Sequence, residues 1–396
     1  MAADQTVLVL NSGSSSIKFG LYAKGDPPQA ILSGKIERIS TPQASFKWTE
    51  TATGRTGTEN MNAPQHQSAS QFLNGWLDGR PESAGIAAIA HRVVHGGPNY
   101  DQPQLVTPEL LTELRRIGPF DPDHFPAQID LISVFAKHRP RVPQVACFDT
   151  AFHHNMPRVA KIVPLPRKYE AAGIHRYGFH GLSYTFLLEE LERLAGREAA
   201  RGRLVLAHLG NGASMAAVRD GHSLDTTMCF TPTAGLPMST RSGDLDPGIF
   251  VYLSRTEGMT PEQFQRLVNY ESGLRGISET SSDMRDLTER AKQDFRAAEA
   301  IAVFCYQAKK WIGALATVLG GVDTLVFAGG IGENAPEVRD CICTGLDFLG
   351  IAIDPAQNKS SAAVISPVGS RVTVRVIRTN EESVMAKAAW RLISQT

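Results

Sequence analysis

The chain has 396 residues, with 40 Lys and Arg against 40 Asp and Glu and a formal net charge of zero. That balance excludes a globally basic nucleic-acid binder and an acidic tail protein. Apolar residues make up 42%, beside 35 Gly and 23 Pro, the composition of an ordinary folded chain long enough for two domains. The five cysteines show no framework or metal spacing, which reads as a chain with reduced thiols in the cytoplasm. No basic n-region precedes TVLVL, and no run reaches the roughly 18 uncharged apolar residues of a membrane helix. Neither a membrane nor a nucleic-acid partner is expected.

In chain order, TVLVL at 6–10 predicts a buried strand, NSGSSS a turn and IKFGLY a returning strand. The polar stretch 40–70 predicts exposed hairpins or loops. AGIAAIAHRVV at 84–94 reads as a buried strand ending in HGGPN. Thr107 and Pro108 have the chemistry of an N-cap and first helical position, opening PELLTELRRI. QIDLISVFAKH is a helix and QVACFDT a strand. FLLEELERLAG at 186–196 predicts an amphipathic helix closed by Gly196. RLVLAHL, GNGAS and MAAVRDG repeat the strand, turn and strand of the N-terminus. That repetition fits either a duplicated α/β domain or two unrelated hairpins. Asp246 is expected to cap the helix GIFVYLS, with Asp244 a second candidate cap. A long apolar helix spans 295–319, TLVFAGG is a strand, IGENAPEV opens a helix, RVTVRVI is a late strand, and NEESVMAKAAWRLIS closes the chain.

Turns of small residues aim several backbone N–H groups at one anion. NSGSSSIK adds hydroxyls and Lys18, GNGAS has the same form, and VFAGGIGENA joins a strand to a helix start. The last loop also matches a dinucleotide fingerprint through Gly330, Gly332 and Ala335, with Asp354 about twenty residues on. Only some sixty residues remain after it, and no G-x-x-x-x-G-K-S/T occurs. Arg92 and Asp149 end buried strands, where α/β folds place ligand groups. His175, Arg176 and His180 share a Gly/aromatic loop, and Arg241, Asp244 and Asp246 share TRSGDLDPG. Arginines beside such turns suit a carboxylate or phosphoryl group. Cys147 near Asp149 and His153 reads as inert packing rather than a nucleophile. Three phosphate-friendly turns, loop arginines and no protein metal cage point to phosphoryl transfer from a nucleotide.

NSGSSSIKF, HRVVHGG, FDTAFH, RYGFHGLSY, HLGNGAS, DTTM with STRSGDLDP, FAGGIGENA and TNEE occur in this order along nearly the whole chain. In these segments the chain resembles the acetate kinases, within the acetate and propionate kinase family of the actin, sugar-kinase and Hsp70 superfamily. The resemblance implies an α/β chain of two duplicated actin-like (ribonuclease H-like) domains with the active site in the cleft. Residues 1–149 plus 382–396 would form the first domain, and 150–381 the second, carrying the nucleotide site and the dimer interface. It implies reversible transfer from ATP to acetate, giving acetyl phosphate and ADP, with Mg²⁺ (or Mn²⁺), in a cytoplasmic homodimer. Propionate or another short acid is the alternative substrate.

Residue by residue, Asn11 and Glu381 match the family's metal positions. Ser14, Ser16 and Lys18 match its phosphate-side residues. His208, Leu209, Gly210, Asn211 and Gly212, then Asp283, Met284 and Arg285, then Gly330, Ile331, Gly332, Glu333 and Asn334 match its nucleotide-binding segments. Arg92 matches the substrate-carboxylate position, and Val94, Phe179 and Pro232 line the acyl pocket by analogy. Asp149 matches the catalytic aspartate, expected to orient Arg241 or the substrate, and His180 and Arg241 match the transition-state stabilisers. The chain departs at PDHFP, where Asp123 replaces an apolar residue of the acyl pocket, and at Cys229, Arg275 and Met284.

Overall fold

The computed structural model describes residues 5–13 and 15–395. The chain divides into two compact units, Met1–Ala151 with Asn380–Thr396, and Phe152–Thr379.

The first unit is built on an eight-stranded sheet. Its strands are β1 (Thr6–Gly13), β2 (Ser16–Ala23), β3 (Gln29–Glu37), β4 (Ser45–Glu50), β5 (Thr56–Asn60), β6 (Ile86–Val93), β7 (Gln104–Leu105) and β8 (Gln144–Phe148). They lie in the order β5-β4-β3-β2-β1-β6-β8-β7. β1 is a continuous run of buried residues because both of its neighbours pair with it: β2 antiparallel and β6 parallel. Leu8, Leu10, Ile17, Phe19 and Phe46 share one core with the helix His66–Asp78. The stretch 40–70 thus holds the edge hairpin β4–β5 and the start of a helix absent from the sequence reading. Thr107 caps Pro108–Arg116 as expected, accepting from the Leu110 N–H at 3.2 Å.

The second unit has five strands: β9 (Leu204–Leu209), β10 (Ala213–Arg219), β11 (His222–Thr226), β12 (Thr324–Ala328) and β13 (Thr373–Val376). Their order is β11-β10-β9-β12-β13. β9 and β10 are antiparallel, as are β10 and β11, and β9, β12 and β13 run parallel. The first unit's β3-β2-β1-β6-β8 has the same order and the same sense at every step. Two unrelated hairpins would not reproduce five strands, so the repetition in the sequence is a duplicated domain.

Two details differ from expectation. The helix near 186–196 starts earlier, at Gly181; Gly196 (φ 83°) closes that run as expected, and a further helical stretch continues past the kink to Arg201. Pro247 is the N-cap of Gly248–Glu257, while Asp246 accepts from the Gly248 N–H at 2.7 Å. Asp244 caps nothing: its carboxylate accepts from the Gly235 N–H at 2.8 Å and braces that turn. The apolar helix Phe295–Leu319 is capped by Asp294 and buries Phe304, Cys305, Ile312 and Leu315.

Candidate active site

In the first unit, parallel pairing of β6 with β8 sets Arg92 level with Cys147, two residues before Asp149. The Arg92 guanidinium grips Asp149 with Nε at 3.0 Å and Nη2 at 2.5 Å, and Nη1 donates to Asn11 Oδ1 at 3.2 Å. Asp149 is 1% exposed and the Arg92 side chain 20%. Of five guanidinium N–H donors, three are occupied, which leaves two for a ligand. Burial works against the charge on Arg92, but Asp149 and Glu381 outweigh it and raise its pKa. Asp149 therefore orients Arg92, where the sequence reading had it orient Arg241 or the substrate.

Glu381 opens the helix Glu381–Ile393, which Asn380 caps by accepting from the Ser383 N–H at 3.0 Å. This places Glu381 in the first unit, where the sequence boundary had put it in the second. Burial, then Asp149 and Glu382, push its carboxyl up to about 7, with Arg92 and Lys18 opposing. Lys18 is exposed and stands opposite Asn11 in the β1–β2 pairing. Ser16 begins β2, and Ser14 lies outside the described residues. Val94 is buried, and its N–H donates to Gln128 Oε1 at 3.1 Å, on the helix Phe125–His138. At the divergent PDHFP segment, His124 Nδ1 pairs with Asp121 at 2.8 Å, and Asp123 is part-buried. Cys147 is fully buried and its thiol is pushed up to about 12 by burial, which removes it as a nucleophile.

In the second unit the adjacent parallel strands β9 and β12 end side by side, Ala328 level with His208. The β9–β10 turn (Gly210, Asn211, Gly212) and the Gly329–Asn334 helix follow these two strand ends, the carboxyl ends of adjacent parallel strands where α/β sheets place ligand groups. The approach is close: a Cβ on Gly210 would lie 3.6 Å from the Gly330 N, and one on Gly329 (φ 77°) 2.7 Å from the Leu209 O. Only glycine fits the second position. Ile331 and Gly332 are buried, Asn334 donates to the Gly330 O at 2.9 Å, and Glu333 Oε1 accepts from the Gly329 and Thr379 N–H groups at 2.9 and 3.1 Å.

His180 holds an αL conformation (φ 60°, ψ 24°) just before the helix Gly181–Arg201, the kind of backbone strain that concentrates at functional sites. Its Nδ1 bonds Ser214 Oγ at 2.9 Å, and its ring stacks on His208 at 4.3 Å. Ser214 Oγ also bonds the Tyr184 hydroxyl, and His208 Nδ1 bonds Ser183, which bonds Thr379. A Cβ at Gly212 would lie 3.1 Å from His180 Nε2 and 3.7 Å from Arg241 Nη1. Two donor groups thus converge on one glycine of the phosphate-friendly turn, and a side chain there would obstruct them. Arg241 Nη1 also donates to the Pro232 O at 3.1 Å. Phe179 is buried, and its carbonyl meets His153 Nε2 at 3.1 Å.

Other candidates have local tasks. Arg176 Nη1 donates to the Thr226, Thr227 and Met228 carbonyls, pinning a loop. His175 stacks on Tyr177. Asp283 caps Met284–Arg290 and pairs with the exposed Arg285 at 2.6 Å, while Met284 is buried and offers a ligand only its backbone. Asp354 caps Pro355–Lys359, accepting from two N–H groups at 2.9 Å, so it is no ribose-binding acid. Sequence reasoning missed Ser183, Ser214, Tyr184 and Thr379. All four sit inside the quoted motifs, but only tertiary contact shows their role.

Comparison with known proteins agrees with the geometry. The profile of the acetokinase family matches residues 6–387. An acetate kinase of Rhodopseudomonas palustris is 43% identical over 392 residues, covering 98% of each chain. A propionate kinase of Citrobacter rodentium is 41% identical over 98% of this chain and 96% of its own. The crystal structure of a propionate kinase from Francisella tularensis superimposes with a TM-score of 0.92 at 34% identity, over 98% of this chain and 99% of that one.

Proposed function

The chain belongs to the acetokinase family, and from that premise we propose that it transfers the γ-phosphoryl group of ATP to acetate, reversibly, giving acetyl phosphate and ADP. The observation that carries the chemistry is the convergence of His180 Nε2 and Arg241 Nη1 on Gly212, at the β9–β10 turn. A carboxylate is a nucleophile at neutral pH and needs no strong general base. The obstacle is repulsion between the acid and the γ-phosphate. Arg92, held by Asp149 and Asn11, neutralises and aligns the acid with its two spare donors. His180 and Arg241 donate to the equatorial oxygens of the phosphoryl group during direct in-line transfer. Ser214 and His208 fix the His180 ring for that task. By analogy with the family, Val94 of the first unit and Phe179 and Pro232 of the second are the residues assigned to the acyl group. The backbone of Gly210–Gly212, Asp283–Arg285 and Gly330–Asn334 receives the nucleotide, with Ser14, Ser16 and Lys18 on its phosphate side.

Mg²⁺, or Mn²⁺, fits the donors at hand. Asn11 and Glu381 offer hard oxygen ligands, and a part-buried carboxyl pushed up to about 7 beside two other acids is relieved by a cation. Among the described residues no group of three or more His, Cys, Asp or Glu could hold a metal ion. When bound, the cation supplies charge neutralisation of the nucleotide phosphates.

Acetate is the substrate we favour. Propionate is second, because a relative of nearly equal similarity bears the name propionate kinase. Among the described residues no helix is long and apolar enough to cross a membrane. We place the enzyme in the cytoplasm as a homodimer. In support, Gly248–Glu257 buries none of its residues and exposes Val251 and Tyr252, an apolar face that a second copy would cover. The test is acyl hydroxamate formation with ATP, Mg²⁺ and acetate, propionate or butyrate. No hydroxamate from any of the three overturns the kinase reading, and the ranking of kcat/KM assigns the acid.

A further inference from the structure

His180 stands just before the helix Gly181–Arg201. Residues three and four apart on a helix are neighbours, so Ser183 and Tyr184 lie one turn beyond His180 on its own side. Facing them, the antiparallel pairing of β9 and β10 sets His208 level with Ser214. The two pairs interlock. Ser214 Oγ bonds both His180 Nδ1, at 2.9 Å, and the Tyr184 hydroxyl. Ser183 Oγ bonds both His208 Nδ1 and Thr379 Oγ1, each at 2.8 Å. Ser183, Tyr184 and Ser214 are fully buried, so their protons are shared within the protein and not with bulk water.

A serine hydroxyl has one proton, so Ser214 donates to one of its two partners and accepts from the other. Burial raises the Tyr184 pKa, so the phenol keeps its proton, and a buried proton needs an acceptor. With Tyr184 donating to Ser214, and Ser214 donating to His180 Nδ1, all three groups are satisfied. In the reverse order Nδ1–H donates to Ser214, Ser214 donates to Tyr184, and the Tyr184 proton is left without that acceptor. The first order makes Nδ1 an acceptor, which fixes a neutral ring with its hydrogen on Nε2. The stacking agrees: the His208 ring lies 4.3 Å from that of His180 at 26°, and two imidazolium rings face to face repel one another. Nε2 is also the atom turned to the glycine turn, since a Cβ at Gly212 would lie 3.1 Å from it and 3.7 Å from Arg241 Nη1.

We propose that Ser214 and Tyr184 are positioning residues that hold His180 as a neutral imidazole with its hydrogen on Nε2, so that the phosphoryl group meets a donor there and not a lone pair. The part concerning the phosphoryl group rests on the phosphoryl-transfer reading of this turn. A bare Nε2 would face the anionic oxygens with its lone pair, and an imidazolium would break the chain from Tyr184. His180 therefore supplies a directed N–H, and the full positive charge beside Gly212 belongs to Arg241.

The experiment uses the full-length enzyme isotopically labelled at the histidine nitrogens. Long-range proton–nitrogen correlation spectra at neutral pH separate the two neutral tautomers from the imidazolium, and the signals missing in His180→Ala identify His180. A neutral ring protonated on Nε2 is expected. The same ring is expected in Tyr184→Phe, where Ser214 still has a proton to give Nδ1. In Ser214→Ala, where Nδ1 has lost its donor, a mixture of tautomers is expected. In the hydroxamate assay kcat should fall about 10-fold or more in Ser214→Ala and less in Tyr184→Phe, with KM for ATP and for the acid little changed in both. A ring protonated on Nδ1 alone, or an imidazolium, overturns the proposal, as does an unchanged kcat or an unchanged His180 spectrum in Ser214→Ala. The spectra need no substrate, so the tautomer is tested even where a failed hydroxamate assay removes the kinase reading.

Discussion

Removing the Asp149 carboxylate strands a guanidinium that it holds through Nε and Nη2, at 3.0 and 2.5 Å. Breaking a buried pair from one side costs about 3–5 kcal/mol. Arg92 keeps Asn11 and a 20% exposed side chain, so the lower end applies. If about 2.7 kcal/mol of that appears as lost orientation of the acid, kcat/KM in hydroxamate formation falls about 100-fold in Asp149→Ala. The fall should sit largely in KM for the acid, with KM for ATP little changed. Asp149→Asn, which still accepts one hydrogen bond, should fall less. The decisive measurement is the double-mutant cycle with Arg92→Ala. If Asp149 acts through Arg92, the double variant is little worse than Arg92→Ala, with a coupling of about 2–3 kcal/mol. Losses that multiply, with coupling below about 0.5 kcal/mol, would mean that Asp149 acts on the reactants by itself and would refute the reasoning.

The other expectations use the same geometry. Burial lowers His91 and His153 to about 4, against the hydrogen bonds their Nε2 atoms make to Gln144 Oε1 and the Phe179 carbonyl. The unfolded chain then takes protons that the folded chain refuses between pH 6.5 and 4, so stability falls as pH falls through that window, by up to about 3 kcal/mol per histidine. Urea midpoints against pH should show this, with a shallower slope in His91→Gln; an unchanged slope would remove His91 from the account. Gly329→Ala puts a Cβ 2.7 Å from the Leu209 O at φ 77°, so a loss of about 2 kcal/mol in thermal unfolding and a raised KM for ATP are expected. Arg339→Met removes the guanidinium donors to the Gly332 carbonyl and Asn358 Oδ1 and should cost about 3 kcal/mol, with KM for ATP rising and KM for the acid unchanged in whatever folds.

The strands beside the site were legible because they are buried on both faces. TVLVL, IAAIA and LVLA read as apolar runs, and glycine turns follow soon after each. The edge strands β4 and β5 were legible only as exposed hairpins or loops, since TGTEN is largely exposed and SFKWTE buries only Phe46 and Trp48. His66–Asp78 was missed because HQSASQFLNGWLD has only a thin apolar stripe that binds Phe46 and its neighbours. Among candidate site residues, Arg92 was found by its place at a strand end. Its clasp on Asp149 depends on the β6–β8 register, which no local pattern encodes. Asp354 shows the opposite failure: spacing gave it a ribose, and two N–H groups gave it a helix cap.

The duplication explains where chemistry accumulates. In each unit the same central strand, β1 or β9, turns back through small residues while its parallel neighbour, β6 or β12, delivers the next segment beside that turn. The backbone was repeated, but the groups at these ends diverged. The first unit gathers Asn11, Arg92, Asp149 and Glu381, a cluster in which Arg92 favours the charge on both carboxylates while Asp149 opposes that on Glu381. The second gathers His180, His208, Ser214 and Arg241 around bare glycine, donors with few acceptors. An anionic acid and a phosphoryl group make different demands, and this asymmetry is what two copies of one topology must evolve to meet both.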